Sequence, residues 1–150
     1  MMHGDRWKLR SNGFLLIVPI LIWNLAFWRL LPAGAGGSEP VPMSLQWAEH
    51  LFRAGVFGMP AFLKIQSHGS VGHLGWAIYL VGSVVYFASW LPWLRGVESE
   101  EIVLLLAPYL TPMLVFTGIA ILCRSRTYAC VAFAFVGIHV SLGLIRAGIY

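Results

Sequence analysis

Uninterrupted apolar runs are the feature that most limits how this chain can fold. Four of them cover residues 13–31, 73–94, 102–122 and 128–150. An α-helix needs about 20 consecutive apolar residues to cross a bilayer, and each run is close to that length. Hydrophobic residues make up 59% of the chain and charged residues only 11%, which is too little charge to coat a water-soluble core. The sequence therefore predicts an all-α integral membrane protein.

The segment 46–66, "QWAEHLFRAGVFGMPAFLKIQ", decides the number of spans, because it is apolar yet carries Glu49, Arg53 and Lys64. Basic residues beside membrane spans concentrate on the cytoplasmic side. If this segment crosses the bilayer, the basic N-terminal leader, Lys64 and the "CRSR" turn all share that side. The charge pattern thus predicts a single domain, a polytopic bundle of five transmembrane helices in the inner membrane. Its N-terminus is inside and its C-terminus outside.

The first run also has features of a secretory signal peptide. It follows a basic leader, and Ala33-Gly34-Ala35 resembles a signal-peptidase site. The run is long for a signal peptide, however, and it contains Asn24 and Arg29. We expect residues 1–35 to hold an uncleaved anchor, with a cleaved signal as the alternative.

A polar stripe runs along the predicted second span. At about 100° per residue, its members fall within a sector of about 60°. They are Gln46, Glu49, Arg53, Pro60, Lys64 and Ser67. Ionised groups are costly in hydrocarbon, so the stripe is expected to face the bundle interior, a water-filled cavity or a partner subunit. Glu49 precedes Arg53 by four residues, the favourable order for an ion pair on one helix. Either the two simply neutralise each other, or they form part of a ligand site.

His139 lies near the middle of the last run, with Arg146 on the same face two turns later. A histidine at that depth can carry a proton or bind a ligand. It can equally be a neutral imidazole that joins two helices by a hydrogen bond to a hydroxyl group. Tyr86 and Ser83 of the third predicted span are the expected partners, because they lie at a similar depth.

Two further runs offer polar groups to the same interior. The third predicted span carries four polar or aromatic residues on one face: Tyr79, Ser83, Tyr86 and Trp90. The fourth contains "APYLTP", in which Pro108 and Pro112 each lack a backbone donor and interrupt the helix. With Tyr109 between them, this break is expected to line a cavity.

The sequence contains none of the common catalytic motifs, such as GxSxG, HExxH or the P-loop. It favours a non-catalytic protein over an enzyme and predicts no catalytic residue, no metal site and no cofactor. Cys123 and Cys130 lack the spacing of a redox or zinc site, so we expect them to be packing residues. The net charge of +4 comes without a dense basic stripe, which argues against nucleic acid as a partner.

Three segments carry a resemblance to known families. The runs "IYLVGSVVYFASWL" and "APYLTP", behind "LFRAGVFGMPAFLKI", resemble a group of small uncharacterised bacterial multi-pass membrane proteins over roughly residues 45–140. The helix from Arg53 to Lys64, with its glycines, is also similar to the DoxX-like four-helix proteins. That second resemblance implies a link to quinone or thiol redox systems, although the Arg and Lys stand farther apart in those proteins.

Three functions follow from these observations. The first is an interior polar site for a small ligand, a lipid headgroup or a proton, formed by Glu49, Arg53, His139, Tyr86 and Tyr109. The second is a structural accessory subunit whose polar stripe docks onto another membrane protein or a second copy of the chain, within the lipid bilayer. The third is a quinone- or thiol-linked redox component.

The charge pattern predicts the location of the C-terminus. A periplasmic phosphatase fused after Tyr150 should be active, and a fluorophore that matures only in the cytoplasm should be dark at the same position. The opposite pair of results would rule out the five-span topology.

Overall fold

The computed structural model describes residues 11–27, 41–95 and 107–146. These residues form helices joined by turns and short extended segments, with one isolated β-bridge between Asn12 and Lys64, so the all-α prediction is confirmed for them. In chain order the helices are α1 (Phe14–Phe27), α2 (Met43–Gly58), a 3₁₀ turn (Met59–Phe62), α3 (Gly69–Ser89), α4 (Leu91–Leu94), α5 (Pro112–Leu122) and α6 (Arg126–Arg146). The signal-peptidase-like site, Arg29 and the C-terminal Tyr150 lie outside the described residues.

Each of the five predicted spans contains a helix, and two of those helices are long and apolar enough to cross a membrane. These are α3 and α6. Helix α1 and the helical stretch Ala107–Leu122 are apolar but shorter. The latter is interrupted at Thr111, directly before Pro112 begins α5, as the missing N–H of proline requires.

The second predicted span becomes non-helical before its expected end. Helix α2 passes into the 3₁₀ turn at Met59, and Leu63 is already extended, with φ −100° and ψ 143°. Pro60 lacks an N–H and so suits the start of a new turn. The predicted polar stripe is therefore wrong at its C-terminal end, because Lys64 and Ser67 do not lie on the helix.

Helices α3 and α5 pack closely in an antiparallel pair, with glycines at the points of closest approach. A Cβ on Gly118 would lie 2.6 Å from the Cα of Tyr79, and one on Gly82 would lie 2.8 Å from the backbone N of Val115. Small residues that let two backbones approach are typical of helix pairs in membrane proteins. The buried face of α3 includes Tyr79, Tyr86 and Trp90, as the one-face pattern predicted.

Side-chain hydroxyl groups join the remaining helices. The Tyr128 hydroxyl on α6 donates to the Val56 carbonyl on α2 at 3.3 Å. The Tyr79 hydroxyl on α3 donates to the Leu16 carbonyl on α1 at 2.9 Å. Both tyrosines are buried, so these bonds satisfy hydroxyl groups that water does not reach. They fix α2 beside α6 and α1 beside α3.

Backbone hydrogen bonds tie several segments together at one end of the bundle. Gly13 donates to the Leu63 carbonyl at 2.9 Å, and Gln66 donates to the Leu122 carbonyl at 2.7 Å. Lys64 and the "CRSR" turn are therefore located at the same end. Cys123, in that turn, is buried, and burial raises the pKa of its thiol to about 11. A thiol with such a pKa stays protonated near neutral pH and is a poor nucleophile.

Large apolar side chains are exposed on every long helix. Examples are Leu25 on α1, Leu51 on α2, Val84 on α3, Leu114 on α5 and Phe133 on α6. A monomer in water rarely exposes apolar residues on so many of its faces. The described helices therefore present apolar side chains on their outer faces.

The close approach of α3 and α5 predicts that Gly118→Ala destabilises the protein, because the added methyl group meets the backbone of Tyr79. We expect the free energy of unfolding to fall by about 1–3 kcal/mol, as for other overpacked sites. Thermal melts in detergent would measure the loss. The control is Gly137→Ala on α6, where nothing lies within 4 Å of the new Cβ. Equal stability of the two variants would contradict the packing described.

Candidate functional site

A buried carboxylate lies at the centre of the candidate site. Glu49 on α2 is only 2% exposed. The Arg53 guanidinium, one turn later on the same helix, donates to its Oε1 atom. The i,i+4 spacing sets up this contact locally. The ion pair expected from the sequence is therefore present.

His139 on α6 supplies the second partner of the carboxylate. Its Nδ1 donates to the same Oε1 atom of Glu49 at 2.7 Å. Because α2 and α6 run antiparallel and are joined at Tyr128 and Val56, the two side chains meet across the helix interface. One carboxylate oxygen thus joins two helices.

Aromatic rings hold the imidazole in place. The Phe135 ring, one turn earlier on α6, is stacked on His139 with centroids 5.1 Å apart and planes at 17°. The Tyr109 ring lies 4.7 Å from the imidazole at 41°. These contacts fix the orientation of the imidazole.

The Tyr109 ring can approach His139 because the residue of α6 that it packs against is Gly143, which has no side chain. A Cβ on Gly143 would lie 3.1 Å from the Tyr109 ring. The helical residues 107–110 that carry Tyr109 are held by Thr111, whose backbone N–H and hydroxyl group both donate to the Ala107 carbonyl. The break at Pro112 thus positions an aromatic wall of the site.

The charges of the site nearly cancel, but they are unequally exposed. Glu49 and Arg53 carry opposite unit charges, and His139 adds a positive charge only when protonated. The Arg53 side chain is 44% exposed and the His139 side chain 19%. The negative charge is therefore enclosed, whereas the positive charge of Arg53 reaches the surface of the bundle.

Tyr86 lies outside this cluster. Its hydroxyl group donates to Oδ1 of Asn24 on α1 at 2.6 Å, and the Ser83 hydroxyl donates to the Tyr79 carbonyl on its own helix at 2.8 Å. The predicted hydroxyl partners of His139 are therefore wrong. Their side of α3 faces α1, whereas His139 faces α2.

Four of the five predicted site residues thus come together: Glu49, Arg53, His139 and Tyr109. Phe135, the ring that supports His139, was not predicted from the sequence, although its spacing of four residues from His139 indicates a neighbour on one helix face. Asn24, the partner of Tyr86, was not predicted either, because no local signal marks it. In residues 11–27, 41–95 and 107–146, no three His, Cys, Asp or Glu side chains cluster as a metal site requires.

Comparisons with protein-family models, curated proteins and solved structures give no significant match. A carboxylate, a guanidinium and an imidazole in contact can hold a proton or bind an anion.

The cluster predicts a stability that depends on pH once Arg53 is removed. In Arg53→Ala, Glu49 keeps only His139 as a partner, and a protonated imidazole can replace the lost positive charge. Stability should therefore be higher at an acidic pH than at an alkaline one. The loss should reach about 3 kcal/mol at the higher pH, as for buried charges without a partner.

Detergent melts at the two pH values would measure this effect. The control is the double variant Glu49→Gln/Arg53→Ala, which has no buried negative charge and should lose little stability between them. A pH-independent loss in Arg53→Ala would mean that His139 does not compensate Glu49.

Proposed function

We propose that this chain is a five-span protein of the inner membrane, with its N-terminus inside and its C-terminus outside. The exposed apolar residues on every long helix support a lipid environment. Lys64, Arg124 and Arg126 lie at the end of the bundle where α1 begins. Basic residues gathered at one end favour that end as the cytoplasmic one.

The length of the second helical segment supports its role as a span. Helix α2 continues directly into the 3₁₀ turn, so that helical backbone extends from Met43 to Phe62. At about 1.5 Å per α-helical residue and about 2.0 Å per 3₁₀ residue, this is roughly 32 Å. The hydrocarbon core of a bilayer is about 30 Å thick. The segment is long enough to cross, with Glu49 buried against α6 and Arg53 at the surface of the bundle.

Within this bundle we propose that the cluster of Glu49, Arg53 and His139 takes up a proton. The observation that carries the proposal is the 2.7 Å contact between His139 Nδ1 and the buried Glu49 carboxylate. Imidazole is the group in this cluster whose ordinary titration range lies between about pH 5 and 8. A proton on its Nε2 atom would make the imidazole positively charged, beside the carboxylate that already accepts a hydrogen bond from Nδ1. The cluster would then change from neutral to positively charged.

The exposure of Arg53 favours a second candidate function. A side chain that is 44% exposed on an apolar surface is a contact point for another membrane protein, as expected of an accessory subunit. In that case, the Glu49–Arg53 pair would orient the arginine toward the partner. The two functions differ in whether His139 titrates.

Proton uptake predicts a titrating imidazole. We expect the ring ¹⁵N signals of His139, in protein reconstituted into nanodiscs, to change between an acidic and an alkaline buffer as the ring loses its proton. The chain has five histidines, and the spectrum of His139→Gln would identify the signal. An imidazole that keeps one protonation state in both buffers would exclude the proton function and leave the accessory-subunit function.

A further inference from the structure

The surface of α2 near its N-terminus carries three exposed polar or aromatic residues in a row. Trp47 is 65% exposed, His50 is exposed, and their rings meet edge to face with centroids 6.4 Å apart. Arg53 follows three residues after His50, which makes the two side chains neighbours on the helix surface. His50 therefore provides a second donor group beside the guanidinium.

Arg53 has donors left over after its contact with Glu49. A guanidinium carries five N–H groups, and within the described residues its one hydrogen-bonded contact is from Nη2 to Glu49. The Arg53 side chain is 44% exposed, so N–H groups are left for an acceptor outside the bundle. A bidentate acceptor such as a phosphate group matches this fork.

The depth of these groups suits a lipid headgroup. Exposed tryptophans concentrate where the bilayer meets water, which places Trp47 at that boundary. Helical side chains lean toward the N-terminus, so Arg53 extends back to Glu49, two residues after Trp47. The guanidinium then lies within about one turn, roughly 5 Å, of the boundary. This step rests on the membrane-spanning topology proposed above, not on proton uptake.

A flat apolar track continues from these donors along the same helix. Ala54 and Gly58 are exposed, four residues apart, and nothing lies within 4 Å of the position of a Cβ on Gly58. Leu51 borders the track and is 71% exposed. Small residues in such a track leave room for a hydrocarbon chain against the helix.

We propose that an anionic phospholipid binds to this face of α2. Its phosphate group contacts Arg53 and His50, and one acyl chain lies along Ala54 and Gly58. A phospholipid carries both parts in one molecule, which a free phosphate or an acidic side chain does not. The lipid thereby supplies the negative charge that faces the outward side of Arg53.

Native mass spectrometry of the delipidated protein, titrated with phosphatidylglycerol or phosphatidylcholine of the same acyl chains, would test this proposal. We expect the wild type to bind the anionic lipid about tenfold more tightly. His50→Gln and Arg53→Lys should each lose most of that preference. A tenfold difference in affinity is about what one charge-assisted hydrogen bond contributes. His50 is exposed and lies outside the proton site, so His50→Gln should fold and leave the His139 titration unchanged.

The control is Arg124→Gln at the opposite end of the bundle, which should retain the wild-type preference. An equal loss in that control would mean that the lipid recognises net charge alone, and the proposal would be wrong. Equal binding of the two lipids, displacement by millimolar inorganic phosphate, or a protein crosslinked at Arg53 in place of lipid would each also overturn it. A failed topology test would rule out the five-span topology and the lipid site that rests on it. If the topology holds but the wild type shows no preference for the anionic lipid, only the lipid site is ruled out.

Discussion

The burial of one carboxylate determines how α2 is placed. An isolated ionised Glu49 inside an apolar bundle would cost several kcal/mol, so the chain must bring positive or donating groups to it. Arg53 is available on the same helix, but His139 is available only if α6 lies alongside. The antiparallel packing of α2 on α6 is therefore linked to the chemistry of the candidate site. The same contact joins the helices and creates the site.

Helices α3 and α5 are held together by close packing and not by charge. Glycines let α3 and α5 approach until backbone touches backbone, and such contacts tolerate little displacement. This pair also positions the leading turn that carries Tyr109, because the Ser89 and Thr111 hydroxyl groups lie 3.3 Å apart across the interface. The ring of Tyr109 then reaches His139 over Gly143. A rigid pair thus supports one wall of a site whose charges come from α2 and α6.

Local features were predictable from the sequence, and neighbours across helices were not. The contact between Glu49 and Arg53 follows from a spacing of four residues, and helices occur within all five predicted spans. The end of the second helix was missed because Pro60 reads equally well as a kink or as the start of a new turn. The partner of His139 was missed because depth along a span says nothing about which helices adjoin. From helix periodicity alone, either Tyr86 or Glu49 could be the partner of His139. Packing decided between them, because Tyr86 faces Asn24 on α1 and Glu49 faces His139 on α6.

The central claim is that Glu49 and His139 interact directly across two helices. A double-mutant cycle tests it, with Glu49→Leu, His139→Phe and the combined variant compared with the wild type by unfolding in detergent. If the contact exists, the two losses of free energy should be non-additive by about 0.5–3 kcal/mol, the range for residues that contact each other in one network. The double variant should then be more stable than the sum of the single losses indicates, because neither partner is left alone. Losses that add to within about 0.5 kcal/mol would contradict the contact and, with it, the candidate site.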